Sequence, residues 1–416
     1  MKKVDYKWKA LALLWVAFFL QQGTRQIFSA TLPSIRAAFD VTKAEIGLVA
    51  TVFTFVYGIC VPFAGIASDI LKRKWMVAVG VLIFSLGIFG AGFANGILWL
   101  LVMYGVVNGL GQTFYYPAST SLVSQLHSNS RATALSILQF GLYAGIILVS
   151  WMSGYFADLG AEGWKKPFVL FGAIGIVWAV VCMIFLKDTP PAVHNNATPV
   201  KASPAEALGA ILKNPVAIVL AAAFGMHVYV DVGYKTWMPN FLHTSFGLSN
   251  ASASLGAVLW HYIGAIVGVS IGSRFADRFI LRRGTVRYET SAFGMILAAP
   301  FIVLMAFMPK LVPGESGLAL CLLASGLFGL FRGFFDSNIF AALFDVVPAR
   351  FHASAMGLVL CAAFVVGSSS GGLIGLFSSQ SMGLASLAPV YFAGGILLLI
   401  ARGIGGGERE EMSNGR

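Results

Sequence analysis

Gly65-Ile66-Ala67-Ser68-Asp69-Ile70-Leu71-Lys72-Arg73-Lys74 closes an apolar stretch in the first half of the chain. Ser273-Arg274-Phe275-Ala276-Asp277-Arg278-Phe279-Ile280-Leu281-Arg282-Arg283 closes another in the second half. In both strings a small residue stands four positions before an aspartate, and a basic cluster follows the aspartate. A small residue at a helix end permits close approach of a neighbour. The carboxylate accepts bonds from helix N-terminal amides or from a nearby arginine. The string therefore reads as a latch that opens when helices move, formed by Gly65, Asp69, Arg73 and Lys74 and again by Asp277, Arg278 and Arg282. Its recurrence marks an internal repeat.

Each copy follows the second of six apolar segments. Segments of about 20 residues, enough to cross about 30 Å of hydrocarbon, lie near 10–35, 46–68, 75–94, 97–124, 132–156 and 167–186. A second set lies near 214–242, 251–275, 290–308, 316–344, 353–377 and 387–404. The composition agrees: 58% of the 416 residues are hydrophobic and 11% are charged, where soluble domains carry about 25% charge. The fold class read from this is an all-α polytopic membrane protein, with twelve transmembrane helices in two pseudo-symmetric six-helix bundles. The bundles are 1–187 and 213–416, joined by a Pro- and Asn-rich cytoplasmic linker at 188–212 that ends in a short amphipathic helix near Pro204. The first segment is no cleaved signal peptide, because Gln21-Gln22-Gly23-Thr24-Arg25-Gln26 interrupts it.

The net charge of +11 would suggest nucleic acid on a soluble chain. Here the charges sort by side instead. With both termini cytoplasmic, twenty of the 28 basic residues fall inside and five outside (Arg36, Lys43, Lys165, Lys166 and Lys310). That is the positive-inside pattern, so no nucleic-acid partner is expected, and the location read is a plasma membrane, the inner membrane of a bacterium. Cys60, Cys182, Cys321 and Cys361 lie in apolar runs without metal or disulfide spacing. No cofactor, no metal and no enzymatic activity are expected, since neither a phosphate-binding glycine loop nor a nucleophile–base arrangement stands out.

The latch strings carry a resemblance. The sequence resembles the major facilitator superfamily of secondary transporters, whose loop signature between spans two and three matches at Gly65, Asp69, Arg73 and Lys74. It departs at Lys72, where that family usually has a second glycine. Gly163-Trp164-Lys165 with Phe168 looks like the family's Gly-Trp-Arg element, with lysine for arginine. Three further stretches look like the organophosphate antiporter and anion:cation symporter branches: Arg25 to Pro33, Gly111 to Pro117 and Trp237 to Leu242. By that resemblance, two bundles rock about a central cavity and Arg25 holds the anionic group of the substrate. Phosphate antiporters carry a second arginine in span seven, and aligning on Trp237 and Pro239 puts Asp231 there. A singly charged carboxylate suits one arginine better.

Charges in hydrocarbon are costly and mark function or pairing. Arg25, ringed by Gln21, Gln22 and Gln26, reads as a substrate anchor or as a structural ion pair. Asp231 with Lys235, and Arg332 with Asp336, stand four apart on shared helix faces. Each set is either an internal charge pair or a proton switch, with Asp231, Asp336 and His261 the coupling candidates and Lys235 and Arg332 their partners. His261 and His227 also fit hydrogen-bonded core histidines. Gln22, Gln26, Gln112, Tyr115, Tyr116, Gln139, Tyr143 and Asn338 complete the candidate substrate-binding set, some of them serving helix contacts instead.

The function expected is proton-coupled import of a small organic anion, a sugar acid or related carboxylate, by alternating access in a protein working as a monomer. Its partners are that small anion, the proton and the lipid bilayer. The alternatives are antiport or export of phosphorylated or neutral sugars, and a non-transporting membrane receptor or scaffold on the same fold.

Overall fold

The computed structural model describes residues 5–127, 130–187, 204–279, 285–348 and 351–414, and the regular structure in them is entirely helical. The first half runs α1 (Tyr6–Phe39), α2 (Lys43–Ile70) and α3 (Arg73–Ala91). A composite crossing follows: α4 (Ile97–Leu100), a π-helical stretch Leu101–Asn108 and α5 (Gly109–Leu126). Then come α6 (Arg131–Ala157) and α7 (Lys165–Phe185). A short α8 (Pro204–Leu212) leads into α9 (Pro215–Phe246), α10 (Asn250–Phe279) and α11 (Val286–Leu311). The chain ends with α12 (Glu315–Asp336), α13 (Ile339–Val346), α14 (His352–Gly375), α15 (Gln380–Ala385) and α16 (Leu387–Asn414). Arg282 and 188–203, most of the expected linker, lie outside the described residues.

Eleven of these crossings are long and apolar enough to span a membrane. The twelfth, α1, has 34 residues but is made less apolar by Gln21, Gln22, Thr24, Arg25 and Gln26. It stays helical because those groups find partners: Gln21 Nε2 donates to the Gln112 carbonyl at 2.7 Å and Thr24 Oγ1 to the Gln21 carbonyl at 3.2 Å. Large apolar side chains such as Phe63, Leu98, Phe140 and Val177 face outward, the surface that a lipid solvent requires. The twelve-helix, all-α membrane fold is thus realised.

Local chemistry sets the ends. Asp40, at φ 49°, closes α1, and a capping box opens α2, where Glu45 N donates to Thr42 Oγ1 and Thr42 N to Glu45 Oε2. The tenth apolar stretch reads as one helix in sequence but breaks between α12 and α13. The Asp336-Ser337-Asn338 trio makes the break: Asn338 Nδ2 donates to Ser337 Oγ at 2.9 Å and to the Phe334 carbonyl at 3.0 Å. At the other end of the chain, α16 continues through Gly403 to Gly407 instead of stopping there. Glycine lowers helix stability by about 1 kcal/mol per residue without forbidding the helix, and Glu408, Arg409, Glu410 and Glu411 beyond it are good helix formers.

The chain divides into two compact units. The first comprises Met1–Pro199 with Lys235–Val258, and the second Val200–Tyr234 with Leu259–Arg416. In the second unit α10 and α12 approach backbone to backbone. A Cβ on Gly268 would lie 1.9 Å from the Leu330 carbonyl, and one on Gly329 2.1 Å from the His261 carbonyl. Gly329→Val should therefore lower stability by about 1–3 kcal/mol, the usual range for an overpacked core. A thermal melt of the purified protein reads this; an unchanged melting temperature contradicts it.

In the first unit, Asp158 at the end of α6 caps α10. Its Oδ1 accepts from Asn250 N and Asn250 Nδ2, both at 2.9 Å, and its Oδ2 from Ala251 N at 3.0 Å. A Cβ on Gly154, one turn back, would lie 2.4 Å from the Asn250 carbonyl, so that glycine allows the approach. A carboxylate at a helix N-terminus satisfies otherwise unpaired amides. Asp158→Ala should cost about 0.5–2 kcal/mol, the range for a lost cap, and Asp158→Asn less. The order of the two melting temperatures checks this.

Candidate functional site

Two polar clusters stand in otherwise apolar surroundings, one in each unit. The first is built on Arg25, near the middle of α1. Its Nε donates to Gln112 Oε1, and its guanidinium carbon sits 4.4 Å from the Tyr57 ring centroid and 5.6 Å from that of Phe53. Gln112 is itself held, with Nε2 donating to Asn108 Oδ1 at 2.8 Å. Tyr104 Oη donates to the Arg25 carbonyl at 2.9 Å. Both Tyr104 and Asn108 come from the π-helical stretch, and Tyr104 reaches α1 through its hydroxyl while Asn108 holds Gln112. Arg25 Nη2 is buried and finds no hydrogen-bond partner among the described residues. No carboxylate lies within ion-pair distance of Arg25 among them either. The guanidinium is therefore oriented by one amide and two aromatic faces, with donor capacity left over.

The rest of the substrate-binding set divides. Gln22 is half-buried with its Nε2 3.4 Å from Gln21 Oε1, and Gln26 is buried. Tyr115 is fully buried, stacked on Phe18 at 5.7 Å, and its hydroxyl donates to the Leu14 carbonyl, a helix-to-helix contact. Tyr116 and Gln139 are exposed and Tyr143 is half-buried. Asn338 serves the break between α12 and α13. Sequence reasoning passed over Tyr57, Phe53, Tyr104 and Asn108, which carry no charge and sit in ordinary apolar runs; only their approach to Arg25 distinguishes them.

The second cluster centres on Arg332 of α12, which is buried. Its Nη1 lies 2.6 Å from Asp231 Oδ1 of α9, and its Nε donates to Asp336 Oδ2 at 3.2 Å. Nη1 also donates to His261 Nε2 of α10 at 2.8 Å. Asp336 Oδ1 is 3.1 Å from His227 Nε2, and His227 Nδ1 is 3.0 Å from Tyr391 Oη of α16. Close by, Tyr234 Oη and Ser325 Oγ are 2.6 Å apart. The spacing of four puts Arg332 and Asp336 together, and the fold adds Asp231 and both histidines. Lys235 stands one turn beyond Asp231 on α9, in the part that belongs to the first unit.

Of the latch residues, Gly65 is half-buried in α2 and a Cβ there would meet open space, so no close helix approach depends on it. Asp69 ends the same helix. Arg73 and Lys74 open α3, with Lys74 Nζ 5.6 Å from the Trp75 ring. Asp277 and Arg278 are exposed at the end of α10. Trp164 is fully buried, edge-on to Phe39 at 5.4 Å and to Phe168 at 6.1 Å.

The family model of the Major Facilitator Superfamily matches residues 14–371. The chain belongs to that superfamily. Among relatives in it, the hexuronate transporter of Bacillus subtilis (strain 168) is 27% identical over 279 residues, 65% of this chain and 64% of that one. Protein spinster of Drosophila melanogaster is 24% identical over 309 residues, 71% of this chain and 50% of that one. The chain thus spans between half and two thirds of the length of these two curated relatives. The cis,cis-muconate transport protein of Acinetobacter baylyi is 23% identical over 411 residues and is matched over 94% of both chains. The crystal structure of a bacterial homologue of the human lysosomal transporter spinster, inward-facing and unoccupied, aligns with TM-score 0.76 at 18% identity over 96% of both chains. That structural likeness speaks for the superfamily fold.

Proposed function

We propose that this superfamily member is a proton-coupled secondary transporter that imports a small organic anion by alternating access, with Arg25 as the anchor for the anionic group. The observation that carries the reading is the state of Arg25: its orientation is fixed by Gln112, Tyr57 and Phe53, and buried Nη2 has no partner among the described residues. A planar guanidinium held this way presents parallel donors to a carboxylate. Relatives named as a hexuronate transporter and as a cis,cis-muconate transport protein support the class, since both names denote organic acids. A single arginine in the cluster of the first unit favours a monocarboxylate such as a sugar acid. The Asp231–Arg332–Asp336 cluster is the coupling element, its carboxylates protonated in one state and paired in the other.

Uptake of labelled glucuronate, sulfoacetate, muconate, glucose 6-phosphate and glucose into proteoliposomes under an imposed inward proton gradient tests this. Accumulation of a carboxylate that collapses with the gradient is the expected result. Exchange of preloaded substrate with net uptake indifferent to the gradient would make the protein an antiporter.

A further inference from the structure

We propose that His227 is the proton-carrying histidine of the second unit, and that His261 is a fixed uncharged acceptor that holds Arg332. The assignment rests on the proton-coupled reading above and divides the work between two histidines that the sequence leaves alike.

Arginine has donors only. With Arg332 Nη1 2.8 Å from His261 Nε2, that nitrogen must present its lone pair, and the ring proton sits on Nδ1. A proton added at Nε2 would set two cationic N–H groups against each other. His261 is fully buried, its ring 4.7 Å from Tyr234, 4.9 Å from Phe328 and 5.4 Å from Tyr262. In such low-dielectric surroundings like charges at contact repel strongly.

His227 is placed the opposite way. Nε2 faces the Asp336 carboxylate, which only accepts, and Nδ1 faces the Tyr391 hydroxyl, which donates or accepts. In the neutral ring, Nε2–H donates to Asp336 and Nδ1 accepts from Tyr391. In the protonated ring, Nε2–H keeps its bond, the added proton sits on Nδ1, and the Tyr391 O–H rotates to accept it. In both forms each ring nitrogen of His227 keeps a hydrogen-bond partner with no heavy atom displaced. Phe335, with ring centroid at 4.5 Å, and Phe224 at 5.9 Å flank the imidazole.

The charged and titratable groups that face it are therefore Asp336 and, through it, Arg332 from α12, Tyr391 from α16 and Asp231 on its own helix. His261 of α10 reaches the cluster through Arg332. Asp336 is shared between Arg332 Nε and His227 Nε2. Protonating His227 adds a full positive charge on one side of that carboxylate and loosens the hold of Arg332 on the other, leaving the guanidinium to Asp231. That exchange of partners couples the proton to the rest of the cluster.

The full-length protein with ¹⁵N in its six histidines tests this by NMR in nanodiscs, with His227→Gln and His261→Gln supplying the assignments. On acidification His227 Nδ1 should pass from the unprotonated to the protonated position, while His261 Nε2 stays unprotonated. Tyr391→Phe should alter the response of His227 and leave that of His261 unchanged. Protonation at His261 Nε2, or a His227 that stays singly protonated wherever the protein is monodisperse, would overturn the assignment. The proteoliposome assay with glucuronate, sulfoacetate and muconate adds the functional arm. His227→Gln should lose the gradient's effect on uptake and His261→Gln keep it; the reverse outcome overturns the proposal. A wild type that ignores the gradient overturns the coupled reading, and the spectra then still decide which histidine takes the proton.

Discussion

Arg25→Ala should weaken binding of the transported anion about 100-fold or more. Two charge-assisted hydrogen bonds of about 1.5 kcal/mol each amount to about 150-fold in Kd. The protein itself should tolerate the change, because Arg25 pairs with no carboxylate among the described residues and Gln112 keeps its bond to Asn108. Arg25→Lys restores the charge without the planar fork, the stacking on Tyr57 or the bond to Gln112. It should recover part of the affinity, leaving a deficit of about tenfold, the size of one charge-assisted bond. Equilibrium binding of labelled substrate to the three proteins checks the order. Equal affinities would remove Arg25 from the site.

Arg332→Met should be the most destabilising single change in the second unit, and removing carboxylates beside it should restore stability. The substitution keeps the apolar length of the side chain but leaves Asp231 and Asp336 facing each other without their shared cation. Breaking a buried ionic group by removing one partner costs about 3–5 kcal/mol, whereas replacing the whole group by apolar or neutral residues is often neutral. The triple variant Arg332→Met, Asp231→Asn, Asp336→Asn should therefore melt well above Arg332→Met alone. Under the proposed coupling it should also lose the gradient's effect on uptake, since His227 keeps its place but faces no carboxylate through which its charge could act on an arginine. A triple variant no more stable than the single one would show that the cluster's stability does not arise from mutual charge compensation.

The crossings were legible because hydrocarbon demands apolar segments of a set length, and the paired Asp-plus-basic strings marked the repeat. What hydropathy does not register is where a helix changes its turn. The π-helical Leu101–Asn108 and the break at Asn338 lie inside stretches apolar enough to read as single crossings, and the break comes from hydrogen bonds of Asn338 to its near neighbours Ser337 and Phe334, which hydropathy does not weigh. Arg25 was legible as a lone cation amid glutamines, and the i, i+4 spacing of Arg332 and Asp336 as a pair. Tyr57, Phe53, Tyr104 and Asn108 were not, because uncharged residues acquire their meaning from the neighbour they touch. The two histidines show the same limit: both read as buried and titratable, yet one meets a donor-only arginine and the other a carboxylate and a hydroxyl.

The role proposed for Arg25 is to anchor a carboxylate for transport across the membrane. Counterflow measures this most directly, with wild-type and Arg25→Ala proteoliposomes preloaded with each unlabelled acid and supplied with a trace of the labelled one outside. Overshoot is expected with a monocarboxylate such as glucuronate in the wild type, no overshoot with glucose, and none with any acid in Arg25→Ala. Overshoot with glucose, or carboxylate counterflow that survives in Arg25→Ala, would contradict it.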